Sequence, residues 1–471
     1  MEHSMISTPI EYVTRIHQEL REKTNGEPFI SVKRRKAQLK KLQSWIWDHR
    51  ELMIQALDQD FKKPEIESIL TEVYVLRSSA KHTLKHLSQW ASIQKVHTPL
   101  ALMGNSGYTQ AQSKGVVLII APWNFPFLLA IKPLISAVAA GNRVVLKPSE
   151  HAPNSSSLMC RMVRECFDHG TVQVVQGGVP QSQKLLELKW DHIFFTGGTE
   201  IGRIVMKAAA QFLTPVTLEL GGKNPSIVDG TCNLKNAAQR IIWGKFLNGS
   251  QACVATDYIL VEKGIEDKFT NILKQEIEKM YHDASTPMAC SIHEKQFNKV
   301  VSILEDAKTK GAEILQGGSF DSKSLQVHPT ILKGVNHEMT IMQEEVFGPL
   351  LPIISYQNLE EAFEIIHKGE RPLSLYVFTT SRRTKKRILE DTWSGTLGIN
   401  TTTIQFNHPS LPFGGTGESG IGKAHGHFGF LEFSNIRSIV RQRIRWNTVH
   451  LISPPFTKFS HWLAHFTARW L

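Results

Sequence analysis

Apolar positions change their period along the chain. In "SVKRRKAQLKKLQSWIWDHR", Leu39, Leu42, Trp45 and Ile46 recur three and four residues apart, which places them on one helical stripe. "PIEYVTRIHQELREKTNG" has the same spacing and predicts an amphipathic helix closed near Gly26. Roughly the first ninety residues read as helix-rich. From Gly115 the texture switches to short apolar runs that end in turns: "GVVLIIAPW", "NRVVLKPSE", "VQVVQGG" and "HIFFTGG". Helical segments separate them, among them "FLLAIKPLISAVAAG", "SSSLMCRMVRECFDHG" and "TEIGRIVMKAAAQF". Strand alternating with helix predicts a parallel sheet with crossovers. Nearly continuous apolar runs predict strands covered on both faces, with ligands bound beyond their carboxyl ends. A second alternating region starts near "PSIVD" and runs through "DYILVEKGIEDKF", "GAEILQGG", "HPTILKGV" and "PLLPIISYQNLEEAFEIIHKG". The expected fold is α/β, with two parallel-sheet domains. "HTPLALMGNSGYTQAQSKG" reads as a hairpin outside the main domain, and "EFSNIRSIVRQR" as a further exposed strand.

A length of 471 residues suits two or three domains with ample core. With 41% hydrophobic and 21% charged residues, the composition is that of a globular protein and excludes a disordered or collagenous chain. The net charge is +11. Much of the excess lies on the solvated face of the basic helix near Lys33, and no nucleic-acid motif accompanies it, so no nucleic-acid partner is expected. The cysteines are Cys160, Cys166, Cys232, Cys253 and Cys290. Their odd number and the lack of any C-x-x-C pair argue against a disulfide framework or a zinc site and favour a reducing, cytoplasmic setting. No secretion-type apolar core opens the sequence, and "GVVLIIAPW" is too short to span a bilayer.

Two glycine motifs fail on context. "GTGESG" (Gly415–Gly420) satisfies G-x-G-x-x-G but follows no strand, and "GESGIGKA" has Ala424 where a P-loop needs Ser or Thr. "FFTGGTEIG" is a better nucleotide candidate. A strand ends at Phe195, Gly197 and Gly198 turn the chain, and Thr199 opens the helix that carries Gly202. A helix N-terminus behind a glycine turn suits a pyrophosphate.

Several polar residues stand where apolar ones are expected. Glu219 lies between Leu218 and Leu220 in "VTLELGGKNP", where a buried charge is costly unless paired or functional. Asn124 sits among aromatics and prolines in "APWNFPF", and Lys147 and Glu150 end a strand in "LKPSE". Cys253 follows Asn248, Gly249, Ser250 and Gln251, a small and polar neighbourhood unlike that of a core thiol.

Together "PWNFP", "LKPSE", "FTGGTEIG", "LELGGKNP", the cysteine segment, "EEVFGPLLP" and "LPFGGTGESG" resemble the NAD(P)-dependent aldehyde dehydrogenases, in order and spacing from about Glu11 to Arg443. The glycine-rich C-terminal stretch is most similar to the class 3 branch, which takes fatty and aromatic aldehydes. The resemblance implies that Cys253 is the nucleophile, Glu219 the general base and Asn124 an oxyanion ligand. It places Lys147 and Glu150 at the adenine ribose, Thr196, Gly197, Gly198, Thr199 and Gly202 at the pyrophosphate, and Glu345 and Phe347 at the nicotinamide end. It puts Phe413 near the substrate entrance. NAD is the implied cofactor, with NADP accommodated, no metal is implied, and a homodimer is expected. The implied cofactor domain is 1–98 with 114–221, the catalytic domain 222–400, the bridging strands 99–113 and 425–446, and the tail 454–471. Two departures stand out. The family usually has Gly-Gln-x-Cys, whereas Ser250 precedes Gln251 here, so the loop needs its own backbone geometry. Gly198 stands where the family often has a polar side chain.

The residue types suit the chemistry on their own terms. A thiolate adds to an aldehyde, an amide steadies the oxyanion, and a carboxylate activates water against the thioester. Two other readings use the same residues: a cofactor-independent thiol esterase, and a non-catalytic membrane-associated protein of this fold. The tail "FTKFSHWLAHFTARWL" aligns Phe456, Phe459, Trp462, Leu463, Phe466 and Trp470 on one helical face. As a helix it would be about 24 Å long, short for a bilayer. It is expected to pack on protein or to lie at a membrane surface.

Overall fold

The computed structural model describes residues 7–281, 287–443 and 448–470. The expectations for 1–6 and 444–446 lie outside the described residues. The first sheet has six strands in the order Gly420–Ile421, Val216–Glu219, His192–Thr196, Val116–Ile120, Arg143–Lys147, Val172–Val174. Every pairing is parallel except that of Gly420–Ile421. Val116–Ile120, Arg143–Lys147 and His192–Thr196 are buried at all five positions, which is why their runs are continuous rather than alternating. The register matters for the site. Ile120 pairs with Lys147 and with Phe195, and Thr196 pairs with Glu219. The carboxyl ends of neighbouring strands therefore deliver Lys147, Thr196 and Glu219 to one edge of the sheet.

The helix Pro126–Ala140 crosses this sheet with fourteen of its fifteen residues buried. It begins with proline, whose missing N–H costs nothing in the first turn. It stops at Gly141, whose φ of 92° few side chains adopt.

The second sheet orders Glu313–Gln316, Thr330–Lys333, Leu350–Tyr356, Tyr258–Glu262, Pro225–Val228, Ser374–Phe378 and Thr396–Ile399. Only Glu313–Gln316 runs antiparallel. Two parallel α/β sheets are thus present, as the alternating pattern predicts. Ser374–Phe378 and Thr396–Ile399 were not singled out by that pattern.

A third sheet joins Gln94–Val96, Asn105–Ser113 and Ser434–Gln442, all antiparallel. It differs in detail from the expected bridging strands. Gln94–Val96 belongs to it, Leu100–Leu102 forms a tight helical turn, and Gly426–Glu432 is a helix. That helix packs closely on Pro126–Ala140: a Cβ on Gly429 would stand 2.6 Å from Ser136 Oγ. The contact is tertiary and leaves no local periodicity. The tail forms the helix Lys458–Trp470, with Phe456, Phe459, Trp462, Phe466 and Trp470 exposed.

Candidate active site

The loop between the helix Leu234–Phe246 and the strand Tyr258–Glu262 carries Cys253. Its approach is unusual. Asn248, Gly249 and Ser250 have φ of 58°, 61° and 64°, three left-handed residues in succession. Gly249 has no substitute, because a Cβ there would lie 2.5 Å from the Ala289 carbonyl oxygen. A left-handed non-glycine residue costs roughly 1–2 kcal/mol. At Ser250 the hydroxyl offsets part of this by donating to the Lys245 carbonyl at 2.5 Å. Ser250, where the family usually has glycine, thus takes a left-handed conformation that favours glycine. Gln251 is a strut: its amide donates to Asn248 O (3.0 Å) and Cys290 O (2.9 Å), and its carbonyl accepts from Ile292 N (3.1 Å).

Asn124 follows the strand Val116–Ile120 and donates its side-chain amide to Gln251 O at 3.0 Å. An amide NH2 has two hydrogens, so one remains for a ligand. Asn224, which the sequence reading passed over, donates to Cys253 O (2.7 Å) and Ala255 O (3.0 Å) and accepts from Ser374 N (2.8 Å). Its signal was a lone amide at the start of the run "NPSIV".

Three cavities meet at Cys253. One, a cleft of about 200 Å³, is lined by Trp123, Asn124, Gly197, Gly198, Glu345 and Phe347. A second, largely aromatic, holds Glu219, Lys132, Phe406, Phe413 and His425. A third opens past Leu70, Thr71, Trp243, Val254 and Thr403. Cys253, Glu219, Asn124, Thr196, Gly197, Gly198, Glu345 and Phe347 are therefore gathered around one cleft. Lys147 and Glu150 stand apart from Cys253 and pair with each other at 3.0 Å. Thr199 opens the helix behind the glycine turn, with its hydroxyl 3.4 Å from Glu418 O. A Cβ on Gly202 would press within 2.8 Å of Leu220, so glycine lets that helix sit tight against the chain after Glu219. Phe413 is buried, stacked on His425 at 4.8 Å and edge-on to Phe406 at 4.8 Å. It lines the inner aromatic cavity rather than the opening past Leu70 and Trp243.

Electrostatics single out the same groups. Glu219 ends its strand buried, and neither carboxylate oxygen has a hydrogen-bond partner. Burial pushes its carboxyl well above the usual range. Lys423 and Lys132 oppose this, and Glu432 adds to it. The Cys253 thiol is pushed up by burial, then by the charges of Glu345 and Glu219, so it rests protonated. Burial, with Asp257 behind it, lifts Glu345 to about 8. Lys132 was unremarked in its apolar helix. It donates to Phe406 O (3.0 Å), lies 3.2 Å from His425 Nδ1, and stands 4.0 Å over the Phe406 ring. Burial holds Lys132 and His425 well below their ordinary values.

The cleft suits a dinucleotide. The turn at Gly197 and Gly198 precedes the N-terminus of the helix Thr199–Ala210, where unpaired N–H groups favour phosphate. A Cβ on Gly198 would meet nothing within 4 Å, so the departure there leaves open space. Gly221 gives way to Glu345, whose carboxylate would lie 1.9 Å from a Cβ. The rejected motif around Gly415–Gly420 instead forms the edge strand Gly420–Ile421 beside Glu219.

A thiol, a carboxyl and an amide converge on a cleft beside a glycine turn and a helix N-terminus, between two parallel α/β domains, as suits an oxidoreductase that works on carbonyl carbon. The aldehyde dehydrogenase family profile matches residues 13–439. A Staphylococcus aureus protein named 4,4'-diaponeurosporen-aldehyde dehydrogenase is 40% identical over 437 residues, 92% of this chain and 94% of its own. A dog relative named aldehyde dehydrogenase, dimeric NADP-preferring, is 38% identical over 422 residues, 89% and 92% of the two chains. Staphylococcus aureus AldH, solved in a substrate-bound state, superposes with a TM-score of 0.92 at 36% identity over 98% of this chain and 99% of that one. The chain belongs to the aldehyde dehydrogenase family, and most resembles its class 3 members. It is an oxidoreductase acting on aldehydes with a nicotinamide dinucleotide, NAD or NADP.

Proposed function

We propose that the protein oxidises medium- or long-chain aliphatic or aromatic aldehydes to carboxylic acids through a thiohemiacetal and a thioester on Cys253. The observation that carries the mechanism is the Glu219 carboxyl, buried with both oxygens free in a cavity that Cys253 also lines. As the Cys253 sulfur bonds to the carbonyl carbon, its proton leaves to solvent. The oxyanion takes the free hydrogen of Asn124 Nδ2 and the Cys253 N–H. When bound, the dinucleotide supplies the acceptor for the hydride that leaves that carbon. Glu219, as its carboxylate, then draws a proton from the water that attacks the thioester, and Cys253 leaves as thiolate and takes that proton from Glu219. The raised basicity of a buried carboxyl suits it to this transfer. Following absorbance of the reduced cofactor across a panel of aldehydes tests the reading. Ester hydrolysis without cofactor-dependent oxidation would favour the esterase instead.

Thr196 to Gly202 would hold the pyrophosphate, Glu345 and Phe347 the nicotinamide end, and Lys147 with Glu150 the adenine ribose. Burial opposes the charge on Glu150, but Lys147 outweighs it and keeps the carboxyl below its ordinary range. A carboxylate there hydrogen-bonds a ribose hydroxyl and repels a 2′-phosphate. Catalytic efficiency is therefore expected to be higher with NAD than with NADP, and Glu150→Gln to narrow the ratio. A higher kcat/KM with NADP in the unaltered protein would refute this assignment.

The substrate class rests on the third cavity. Leu70, Trp243 and Val254 line it, and Ile66, Tyr74 and Ile404 are exposed nearby in sequence. Apolar walls reward an apolar chain by about 0.8 kcal/mol per buried CH2. The tail helix supports a peripheral membrane position, because its aromatic side chains face solvent beside Lys458 and Arg469. No helix of the described residues is long and apolar enough to cross a membrane. Ending the chain after Ser453 is expected to leave activity on short aldehydes unchanged and to weaken either vesicle co-sedimentation or activity on long-chain aldehydes. Unchanged values for both would assign the tail to packing alone. A cytoplasmic homodimer completes the proposal. Its support is the three-stranded sheet, which exposes Val96, Ile436 and Val440, together with the dimeric relative.

A further inference from the structure

Residues 63–74 contribute three charged side chains, Lys63, Glu67 and Glu72, that bond to the segments carrying Asn124 and Asn248 but do not take part in the reaction as derived above. Lys63 and Glu72 form an ion pair at 2.9 Å, with both side chains fully buried. The Lys63 ammonium also lies 4.1 Å over the ring of Phe125, the residue after Asn124. The second Glu72 oxygen accepts from Leu128 N at 2.8 Å. That N–H belongs to the first turn of the helix Pro126–Ala140, which has no partner within the helix. Such a pair adds little net stability over an apolar replacement, but its partners fix a geometry.

Glu67 reaches the other way. Its Oε2 accepts from Asn248 N at 2.8 Å. Asn248 is the first of the three left-handed residues before Cys253. Its side-chain amide donates to Asn124 O at 2.8 Å and to Gln251 O at 3.2 Å. Gln251 O in turn receives the Asn124 amide at 3.0 Å. The circuit closes: one segment holds the Asn124 strand end through Glu72 and Lys63, and the cysteine loop through Glu67.

The backbone between the two carboxylates is unusual as well. The helix widens to a π turn over Ile69–Val73, with Tyr74 N–H bonded to Ile69 O. This π turn lies between the two carboxylates, and Lys63 feels the charge of both. The same turn sends Leu70 and Thr71 into the wall of the third cavity.

We propose that Glu67 is a positioning residue: by holding left-handed Asn248 it sets the Asn124 amide and the Cys253 N–H as a matched pair of oxyanion donors, and through the π turn it ties that pair to the tunnel wall. The proposal rests on the reading of Cys253 and Asn124 as the reaction centre. Loss of Glu67 leaves all reacting groups present but loosens their spacing, and a misplacement of about 1 Å can cost about a hundredfold.

The test uses the full chain with NAD and a short aldehyde, unlabelled and deuterated at the carbonyl carbon. Folded active sites are counted by mass-mapped alkylation of Cys253. For Glu67→Leu, turnover per active site is expected to fall about ten- to a hundredfold, with KM for NAD unchanged. The primary isotope effect should rise, because hydride departure becomes slow. Glu67→Gln keeps an oxygen acceptor for Asn248 N and should stay within about threefold of the unaltered enzyme. A purely structural role would lower the count of active sites and the Tm, but not the rate per site or the isotope effect. Wild-type turnover per site and an unchanged isotope effect in Glu67→Leu, with Asn124→Ala slowed, would overturn the proposal. Should Glu67→Leu fail to fold, Glu67→Asp decides. It withdraws the acceptor by one methylene, and a rate and isotope effect both unchanged would overturn the proposal equally. If Asn124→Ala itself keeps the full rate, the underlying reading of the reaction centre has failed instead.

Discussion

Cys253→Ala is expected to abolish aldehyde oxidation, with turnover falling at least about ten-thousandfold, the scale on which removing an enzyme's nucleophile acts. The fold should be unchanged. The thiol lines cavities rather than filling a core, and the loop is held by Gln251, Asn224 and Asn248, whose bonds do not involve sulfur. Dinucleotide binding, followed by fluorescence quenching, should persist because the glycine turn and Glu345 are untouched. Turnover above a few per cent of the unaltered enzyme would remove Cys253 from the mechanism. Loss of dinucleotide binding would mean that the substitution had disturbed more than the thiol.

Glu219→Gln is expected to slow release of the acid by roughly a hundred- to ten-thousandfold. The amide keeps the shape of the carboxyl but cannot accept a proton from water. A fast phase of cofactor reduction followed by slow turnover is the expected trace, with acylated Cys253 visible by mass spectrometry. The pH profile adds a sign. Burial raises the Glu219 carboxyl well above its ordinary value, so the base is protonated at low pH and thioester hydrolysis rises as pH passes that elevated value. In Glu219→Gln this limb should vanish. Full steady-state activity at neutral pH, or the same limb in the variant, would assign the base elsewhere.

Glu219 was visible in the sequence because a charge inside "VTLELGG" has few innocent explanations. Asn124 and the glycine turn were visible because each ends a run that is apolar without interruption, and those runs are strands covered on both faces. Lys132 was not visible. Its neighbours Ile131 and Leu134 give the same helical texture with or without a cavity, and only the fold brings it against Phe406 and His425. Phe413 could be recognised as aromatic and close to the site, but its depth depends on stacking with His425. The edge strand Gln94–Val96 is too short for alternation to register, and it exists because Asn105–Ser113 passes beside it. Glu67 and Glu72 read as ordinary acids of an amphipathic helix. What distinguishes Glu67 is a bond to a residue 181 positions away, and no local period encodes that.

The left-handed run Asn248–Ser250 also bears on how the protein is made. Its two non-glycine residues, Asn248 and Ser250, are unfavourable there in an isolated peptide, and Asn248 is compensated from elsewhere, by Glu67 and by Asn124 through its own amide. During synthesis these anchors emerge first, and the segment that needs them arrives well over a hundred residues later. The bonds to Glu67 and Asn124 therefore form only once segments far apart in the sequence have come together. On the mechanism proposed above, a nascent or half-folded chain would carry Cys253 without its aligned oxyanion donors. On the same reading, the reactive site would be assembled only as the fold is completed.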